Sequence, residues 1–565
     1  MTFIRGAGQY YVQGEVKNEN GINLQNVSIK ANSSLTASHT NQDGKFQIWI
    51  TRQEDTLYFS AAGYQSSKIF ISSANFLTII LKKDTNNAKR DRLTSLVGYQ
   101  NGGNEILTYG NETYSALVEN PIVSTTQASS ISFTVNTNLA SYSNVRRFIN
   151  MNSIVPPDAV RIEEMLNYFN FNYTEPQKNQ DFHVSSILSP CPWNVGHKLF
   201  FLSVSARKLD MQTVPPGNLV FLIDISGSMD LPNKLPLIKS GLRLLVNNLR
   251  NIDTVSIVVY GSVLNVVLEG ISGNQKDTIN KAIEILSPQG STPGEAGLKL
   301  AYKVAKRRFI NGGNNRIILA TDGDFNVGVS TEKELEELIG QQGETGIHLT
   351  CLGVGIGNYK DSKLSLLAQK GQGNFAYIDN ELEAEKVLVT EFTQTLFTVA
   401  ENVFLTTNFD SSLVKNFRLI GYDNRRNSFV DSLSKLEGGE IGSGHSLLAI
   451  FEVEADSEFK NNQNLAELTI HYHLPGQLTE QKKEFVCPFN FTPYERLDSA
   501  FQKAINILMF GMKLKWSVYA KDIHWKYIEG NAKKVFDELN PLDQQYLQLL
   551  SKAKEIYSKK KYKED

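Results

Sequence analysis

From residue 10 to 83, apolar and polar positions alternate in short runs. Val12-Gln13-Gly14-Glu15-Val16, Val27-Ser28-Ile29-Lys30 and Phe46-Gln47-Ile48-Trp49-Ile50 carry the pattern, with shorter apolar stretches at Leu57–Phe59 and Leu77–Leu81. Asn20-Gly21, Asp43-Gly44 and Gly63-Tyr64 separate them, which is the residue chemistry of hairpin turns. The segment therefore predicts a small antiparallel β-sandwich. Periodicity is lost over 84–130, where Asn, Gly, Thr and Ser dominate, and this stretch reads as a linker. Structure returns over 131–216, an N-terminal flanking region. There Pro156-Pro157-Asp158 opens a helical run, Ala159–Phe169, and strand-like runs follow at Phe182–Leu188 and Lys198–Ala206.

Between 217 and 398 the period switches back and forth. Leu219–Ile223 is continuously apolar, as a strand buried on both faces requires. Helical period follows at Leu237–Leu249, a strand at Val255–Tyr260, and helices at Lys276–Leu286 and Glu295–Phe309. The pattern continues with a strand at Arg316–Ala320, a helix at Glu332–Ile339, a strand at Ile347–Leu352, a helix at Leu364–Gln369 and a strand at Phe375–Ile378. Glu383–Phe397 is its last helix. Repeated βα units imply a doubly wound parallel sheet. From 399 to 565 strands return (Val403–Thr407, Phe417–Ile420, Leu447–Glu452, Leu465–His473, Glu484–Phe491), closed by helices at Leu497–Phe510 and Leu542–Tyr557. The reading is a multidomain chain: an N-terminal β-sandwich, then an α/β doubly wound domain inserted between β-rich flanks, with C-terminal helices.

Composition narrows the function classes. The chain has 565 residues, and its 57 Lys+Arg against 59 Asp+Glu exclude a strongly basic nucleic-acid binder as a description of the whole. No apolar stretch approaches the roughly 18 residues that span a bilayer, so no transmembrane segment is expected. The first residues lack an apolar signal core, which leaves two readings: a cytoplasmic protein, or one whose targeting segment precedes this chain. The three cysteines are too few for a disulfide scaffold; Cys351 reads as a buried apolar residue, and a Cys191–Cys487 bridge stays open.

The chemistry concentrates where the apolar strand Leu219–Ile223 stops. Asp224-Ile225-Ser226-Gly227-Ser228-Met229 places one carboxylate and two hydroxyls on a tight loop. Ligands of open α/β sheets bind outside the carboxyl ends of strands. Two further loops supply the same groups: Gly290-Ser291-Thr292-Pro293-Gly294 offers Thr292, and Thr321-Asp322-Gly323-Asp324 offers Asp322. Asp224, Ser226, Ser228, Thr292 and Asp322 are hard oxygen donors, the chemistry of Mg²⁺, with Mn²⁺ or Ca²⁺ as substitutes.

This constellation resembles the metal-ion-dependent adhesion site of von Willebrand factor type A domains, which places 217–398 in that Rossmann-like fold. The runs Leu219–Asp230 and Ala320–Gly328 are similar to a bacterial family that carries the domain between two uncharacterised flanks. Ser141–Phe148 matches its N-terminal flank; Arg418–Arg425 and Gly439–His445 match its C-terminal flank. The family has two aspartates just before its Ala-Ser-Tyr, where this chain has Asn136 and Asn138. Residues 10–83 resemble the carboxypeptidase-regulatory-like, transthyretin-like module through Gly14-Glu15-Val16, Asn20-Gly21, Thr40–Phe46 and Ala62-Gly63-Tyr64. These resemblances imply a site in which Ser226, Ser228 and Thr292 touch the metal directly or nearly so, and Asp224 and Asp322 act directly or through water. They imply one coordination position left for the Asp or Glu of a protein partner, and a place in the bacterial cell envelope.

The expected function is thus metal-ion-dependent protein binding, in adhesion or complex assembly, without catalysis. The alternative is a metal-dependent hydrolase or phosphoryl-transfer enzyme, against which stands the lack of any His between Asp224 and Asp322. Gly353-Val354-Gly355-Ile356-Gly357 lacks GxGxxG spacing and reads as a structural turn, and no GxxxxGK[ST] loop is present. His471 and His473 share one strand face without a third ligand, and the lysines of 552–563 read as a solvated helix end.

Overall fold

The computed structural model describes residues 10–559 apart from 25–26, 32–37, 51–53, 62–63, 65–66, 73–75, 83–105, 110–111, 136–137, 291–293, 324–338, 342–344, 356–358, 392–396, 424–425, 428–437, 456–462 and the single positions 20, 42, 116, 172, 211, 213 and 478. The chain divides into two compact units, Met1–Asn101 and Gly102–Asp565.

The first unit holds seven strands among the described residues: β1 (Tyr10–Asn18), β2 (Ser28–Ala31), β3 (Ser38–His39), β4 (Lys45–Ile50), β5 (Asp55–Ser60), β6 (Ser67–Ile71) and β7 (Leu77–Leu81). They form two sheets, ordered β4-β1-β7 and β3-β2-β5-β6. Alternation buries Val12 and Val16 of β1, Phe46 and Ile48 of β4, and Leu57 and Phe59 of β5 in one core. Phe46 and Phe59, one from each sheet, meet edge to face with ring centroids 5.4 Å apart. The sandwich is not wholly antiparallel, because β1 and β7 run in parallel.

The second unit begins inside the expected linker. Here β8 (Ile106–Tyr109) and β9 (Glu112–Ser115) pair as a hairpin. Glu112 and Tyr114 are buried. Arg147 donates to both Glu112 oxygens at 2.6 and 2.7 Å, and Asn144 donates to the Tyr114 hydroxyl at 3.0 Å. A linker reading of 106–115 is therefore corrected: partners far along the chain, not local periodicity, order this hairpin.

Next come β10 (Val123–Ser124), β11 (Ser130–Thr134), α1 (Ala140–Asn150), α2 (Ile162–Asn167), β12 (Phe182–Pro190) and β13 (His197–Ala206). The α/β domain comprises β14 (Gly217–Asp224), α3 (Leu235–Asn247), β15 (Thr254–Tyr260), β16 (Leu264–Ser272), α4 (Lys276–Glu284), α5 (Gly294–Arg307), β17 (Asn314–Thr321), β18 (Ile347–Val354), α6 (Asp361–Lys370), β19 (Phe375–Ile378) and α7 (Glu381–Glu385). After it come β20 (Thr398–Phe409), β21 (Val414–Ile420), β22 (Arg426–Asn427), β23 (Gly439–Gly442), β24 (Ser446–Ala455), β25 (Asn464–His473), β26 (Glu480–Pro488), α8 (Ser499–Leu514), α9 (Trp525–Val535) and α10 (Pro541–Lys559).

Strands from before and after the α/β domain share sheets, as insertion requires. One sheet runs β10-β21-β24-β13-β12; the other runs β22-β11-β20-β25-β26, with β23 beside β20. Their inner faces meet through aromatic rings, including Phe200 with Phe409 at 5.8 Å and Phe409 with Phe451 at 5.3 Å. The outer face of the first sheet, through Leu199, Phe201, Leu448 and Ile450, is covered by α1, α2 and α8–α10. The middle helix, α9, has no counterpart in the sequence reading.

The α/β sheet has the order β16-β15-β14-β17-β18-β19. On β14, Leu219, Phe221 and Ile223 enter one core, and Val220 and Leu222 the other, so the strand is buried on both sides. Its edge strand β16 pairs antiparallel with β15, so the sheet is mixed rather than fully parallel. The expected helix Glu383–Phe397 is α7 followed by a single π-helical turn, Lys386–Thr390, with 392–396 outside the described residues. The helix expected at Glu332–Ile339 falls almost wholly outside them.

Buried arginines tie the flanks to this domain. Arg146 donates to Asp379 and Glu383, and Arg316 donates to Glu440 at 3.0 Å. Arg161 makes a two-pronged pair with Asp361. Cys191, Cys351 and Cys487 are all buried free thiols, so no bridge joins the first and last. No helix among the described residues is long and apolar enough to cross a membrane.

Candidate metal centre

Three neighbouring strands deliver polar groups to one end of the α/β sheet. Asp224 ends β14, Tyr260 ends β15 and Thr321 ends β17, immediately before Asp322. The Asp224 carboxylate is buried and fully engaged. Its Oδ1 accepts from the Ser226 backbone N–H at 2.9 Å; its Oδ2 accepts from the Thr321 hydroxyl at 2.8 Å and the Tyr260 hydroxyl at 3.1 Å. Burial raises the Asp224 pKa above the ordinary carboxylate value. The hydrogen bonds from Ser226 and Thr321 oppose that rise, and the neighbouring Asp322 charge adds to it.

The loop after β14 turns its hydroxyls toward one another. Ser226 and Ser228 Oγ are 3.0 Å apart, with Ser226 half-buried and Ser228 exposed. Met229 is fully buried and anchors the turn. Backbone bonds knit three loops together: Ile225 N–H donates to Tyr260 O at 2.8 Å, Gln289 N–H to Ile225 O at 2.6 Å, and Gly227 N–H to Gly290 O at 2.8 Å. Gly261 permits the approach, since a Cβ there would lie 2.8 Å from Gln289 O and 2.9 Å from Ile225 O. Thr292 and Asp324 lie outside the described residues; the described start of the Thr292 loop, Gly290, is the residue bonded to Gly227.

Asp322 is buried, and its Oδ2 accepts from Lys234 Nζ at 2.8 Å. The same ammonium donates to the Ser228 carbonyl at 2.9 Å. Lys234 immediately precedes α3 and is itself buried. Gly355, at φ +84°, makes room for its side chain: a Cβ there would sit 2.5 Å from Lys234 Cε. Gly355 thus clears this lysine, and positions 356 and 357 of the Gly353–Gly357 run lie outside the described residues.

Asp224, Ser226 and Ser228 form one hydrogen-bonded constellation, and Lys234 links Ser228 to Asp322. Tyr260, Thr321 and Lys234 have no site role in the sequence reading. Tyr260 and Thr321 carry a usable signal, a polar group on the last residue of an apolar strand. Lys234 carries none, because its partner Asp322 is 88 residues away.

The residues fit a hard divalent cation. All four described donors are oxygens, and a cationic group, the Lys234 ammonium, already rests on the Asp322 carboxylate and the Ser228 carbonyl. Among the described residues no three His, Cys, Asp or Glu side chains are gathered for a metal, so the hydroxyls are needed to complete a ligand set. Asn138, at one position where aspartate was expected, is buried and accepts from the Phe375 N–H at 2.9 Å, which ties α1's approach to the edge strand β19. Asn136 lies outside the described residues. His471 pairs with Glu480 at 3.0 Å and stacks on Phe404, an ordinary sheet-face arrangement.

Comparison with known proteins gives four family matches. The von Willebrand factor type A domain family covers residues 218–393, and a von Willebrand factor family covers 108–200. The CarboxypepD_reg-like domain family covers 12–90, and the C-terminal family of uncharacterized protein YfbK covers 394–556. Uncharacterized protein YfbK of Escherichia coli is 36% identical over 456 residues, 76% of this chain and 78% of that protein. Uncharacterized protein sll0103 of Synechocystis sp. is 30% identical over 186 residues, 32% of this chain and 42% of that protein. Among solved structures, a von Willebrand factor type A protein from Catenulispora acidiphila is 16% identical with a TM-score of 0.40, covering 68% of this chain and 91% of its own.

Proposed function

The chain belongs to the bacterial von Willebrand factor type A family of Escherichia coli YfbK, and from that premise we propose that it is a metal-ion-dependent protein-binding protein. Its site takes Mg²⁺, or Mn²⁺ or Ca²⁺ in its place, through Asp224, Ser226, Ser228, Thr292 and Asp322. The bound cation supplies one electrophilic position for an Asp or Glu of a partner protein. The observation that carries this reading is the convergence of Asp224, the Ser226–Ser228 hydroxyl pair and Asp322 at the carboxyl ends of adjacent strands.

What this chain's residues do follows from their bonds. Tyr260 and Thr321 fix the Asp224 carboxylate from one side and the Ser226 N–H from the other, which orients it toward the loop hydroxyls. Neutral hydroxyls leave a bound cation strongly electrophilic, which favours an incoming carboxylate over water. The exposed loop side chains Leu231 and Val263, with Leu264 at the start of β16, lie at the same sheet end, an apolar rim suited to a protein partner rather than a small polar substrate. The role is binding in adhesion or complex assembly rather than catalysis. The N-terminal module and the family resemblance support a working place in the cell envelope.

The test is calorimetric titration of Mn²⁺ into the full chain, followed by partner capture with and without EDTA. Wild type should bind the ion and lose its partner in EDTA, and Asp224→Ala should lose both. Equal Mn²⁺ affinity in the two proteins would overturn the metal site. Mg²⁺-dependent turnover of phosphoesters abolished by Asp322→Ala would establish an enzyme instead.

A further inference from the structure

We propose that Lys234 sets the charge of the metal site so that the loaded site takes a single carboxylate. This rests on the metal-binding reading above and concerns a residue outside its ligand set.

The side chain is built into the site. Lys234 is 5% exposed, its N–H donates to Leu231 O at 2.9 Å, and Gly355 leaves space for its stem. Its ammonium is fixed between Asp322 Oδ2 and Ser228 O, one from each of two ligand-bearing loops. A buried ammonium with two acceptors is held too firmly to swing out to solvent on each binding event.

Its charge enters the electrostatics of the site directly. The ionised carboxylates of Asp224 and Asp322 bring two negative charges, and Lys234 cancels one. A divalent cation then leaves the loaded site with one net positive charge. One partner carboxylate neutralises it. Without the ammonium the loaded site would be neutral, and an incoming carboxylate would gain only its bond to the metal, with no net attraction toward the buried site. The same ammonium repels the cation, so the protein gives up metal affinity and gains selectivity for an anionic partner group.

The experiment titrates Mn²⁺ into the full-length wild type, Lys234→Met and Lys234→Gln, followed by electron paramagnetic resonance, each with and without excess acetate as the carboxylate probe. Gln keeps a donor for Asp322 and Ser228 while removing the charge; Met removes both. Both variants should bind Mn²⁺ on the order of tenfold more tightly, and acetate should tighten Mn²⁺ binding in wild type and lose most of that effect in both variants. Melting in EDTA reports whether each variant is folded. If Lys234→Gln behaves as wild type, or if both variants bind Mn²⁺ equally or more weakly than wild type, the lysine only positions Asp322 and the charge proposal is overturned. If wild type itself fails to bind Mn²⁺, the metal-binding reading falls, and this one with it.

Discussion

Arg161 and Asp361 stand 200 residues apart in the chain, yet Arg161 Nη1 lies 2.6 Å from Asp361 Oδ1. Both are buried, and Arg161 Nε also donates to Glu164 at 2.7 Å. One guanidinium therefore satisfies two carboxylates, one from the flank and one from the first turn of α6 in the α/β domain. Arg161→Met would remove the guanidinium that both buried carboxylates share. The expected loss is about 3–5 kcal/mol, read as a lowered denaturant midpoint. A variant within half a kcal/mol of wild type would show that water reaches this interface and screens it.

Cation binding should also be visible as stability. A ligand that binds only the folded state adds about 2.7 kcal/mol at a hundredfold excess over Kd. Mn²⁺ should therefore raise the melting temperature of wild type and leave Asp224→Ala where it was. An equal rise in both proteins would assign the effect to other surface carboxylates.

His445 predicts an acid-sensitive fold. The ring is buried between β23 and β24, and burial first, then the Lys386 charge, pulls its pKa down from 6.5 to about 4. Between those values the unfolded chain binds the proton and the folded chain does not, so stability rises with pH. It is complete above about pH 6.5 and is lost as pH falls toward 4, by about 3 kcal/mol for this one group. Denaturation curves at pH 7 and pH 5 should separate less in His445→Leu than in wild type. The same separation in both would remove His445 as the source.

The first unit carries its own core of Val12, Val16, Phe46, Leu57 and Phe59. Residues 10–83 expressed alone should unfold in one cooperative transition. Residues 131–216 alone should not, since β13 there lacks β24 and β11 lacks β20. A cooperative transition in the second fragment would contradict an inserted α/β domain.

What the sequence discloses follows from the range of the forces involved. Leu219–Ile223 reads as a doubly buried strand because every residue in it is apolar, and Asp224 stands out by ending that run. The two-residue spacing of Asp224, Ser226 and Ser228 is likewise local. By contrast, β9 is ordered by Arg147 and Asn144 of α1, and Glu112 looks like any surface acid until that helix covers it. Strand β16 is half-exposed along its length and so lacks the clean alternation that would mark it. Lys234 is one of many lysines in the chain. Only the fold, which brings Asp322 and Gly355 to it from two other loops, separates it from the rest.

The strand pairing of β13 with β24 and β11 with β20 imposes an order on biogenesis. A ribosome moving at about 5–20 residues per second needs on the order of 10–40 s to travel from Ala206 to Thr398. Throughout that interval the nascent chain carries β11 and one edge of β13 with their apolar faces uncovered, Phe133, Phe200 and Phe201 among them. The α/β domain can close on itself at the end of that interval, because its sheet draws every strand from residues 217–378. Synthesis thus passes through a half-sandwich tethered to a closed domain, and the uncovered faces of β11 and β13 are open to wrong pairing during that window and not in the folded product.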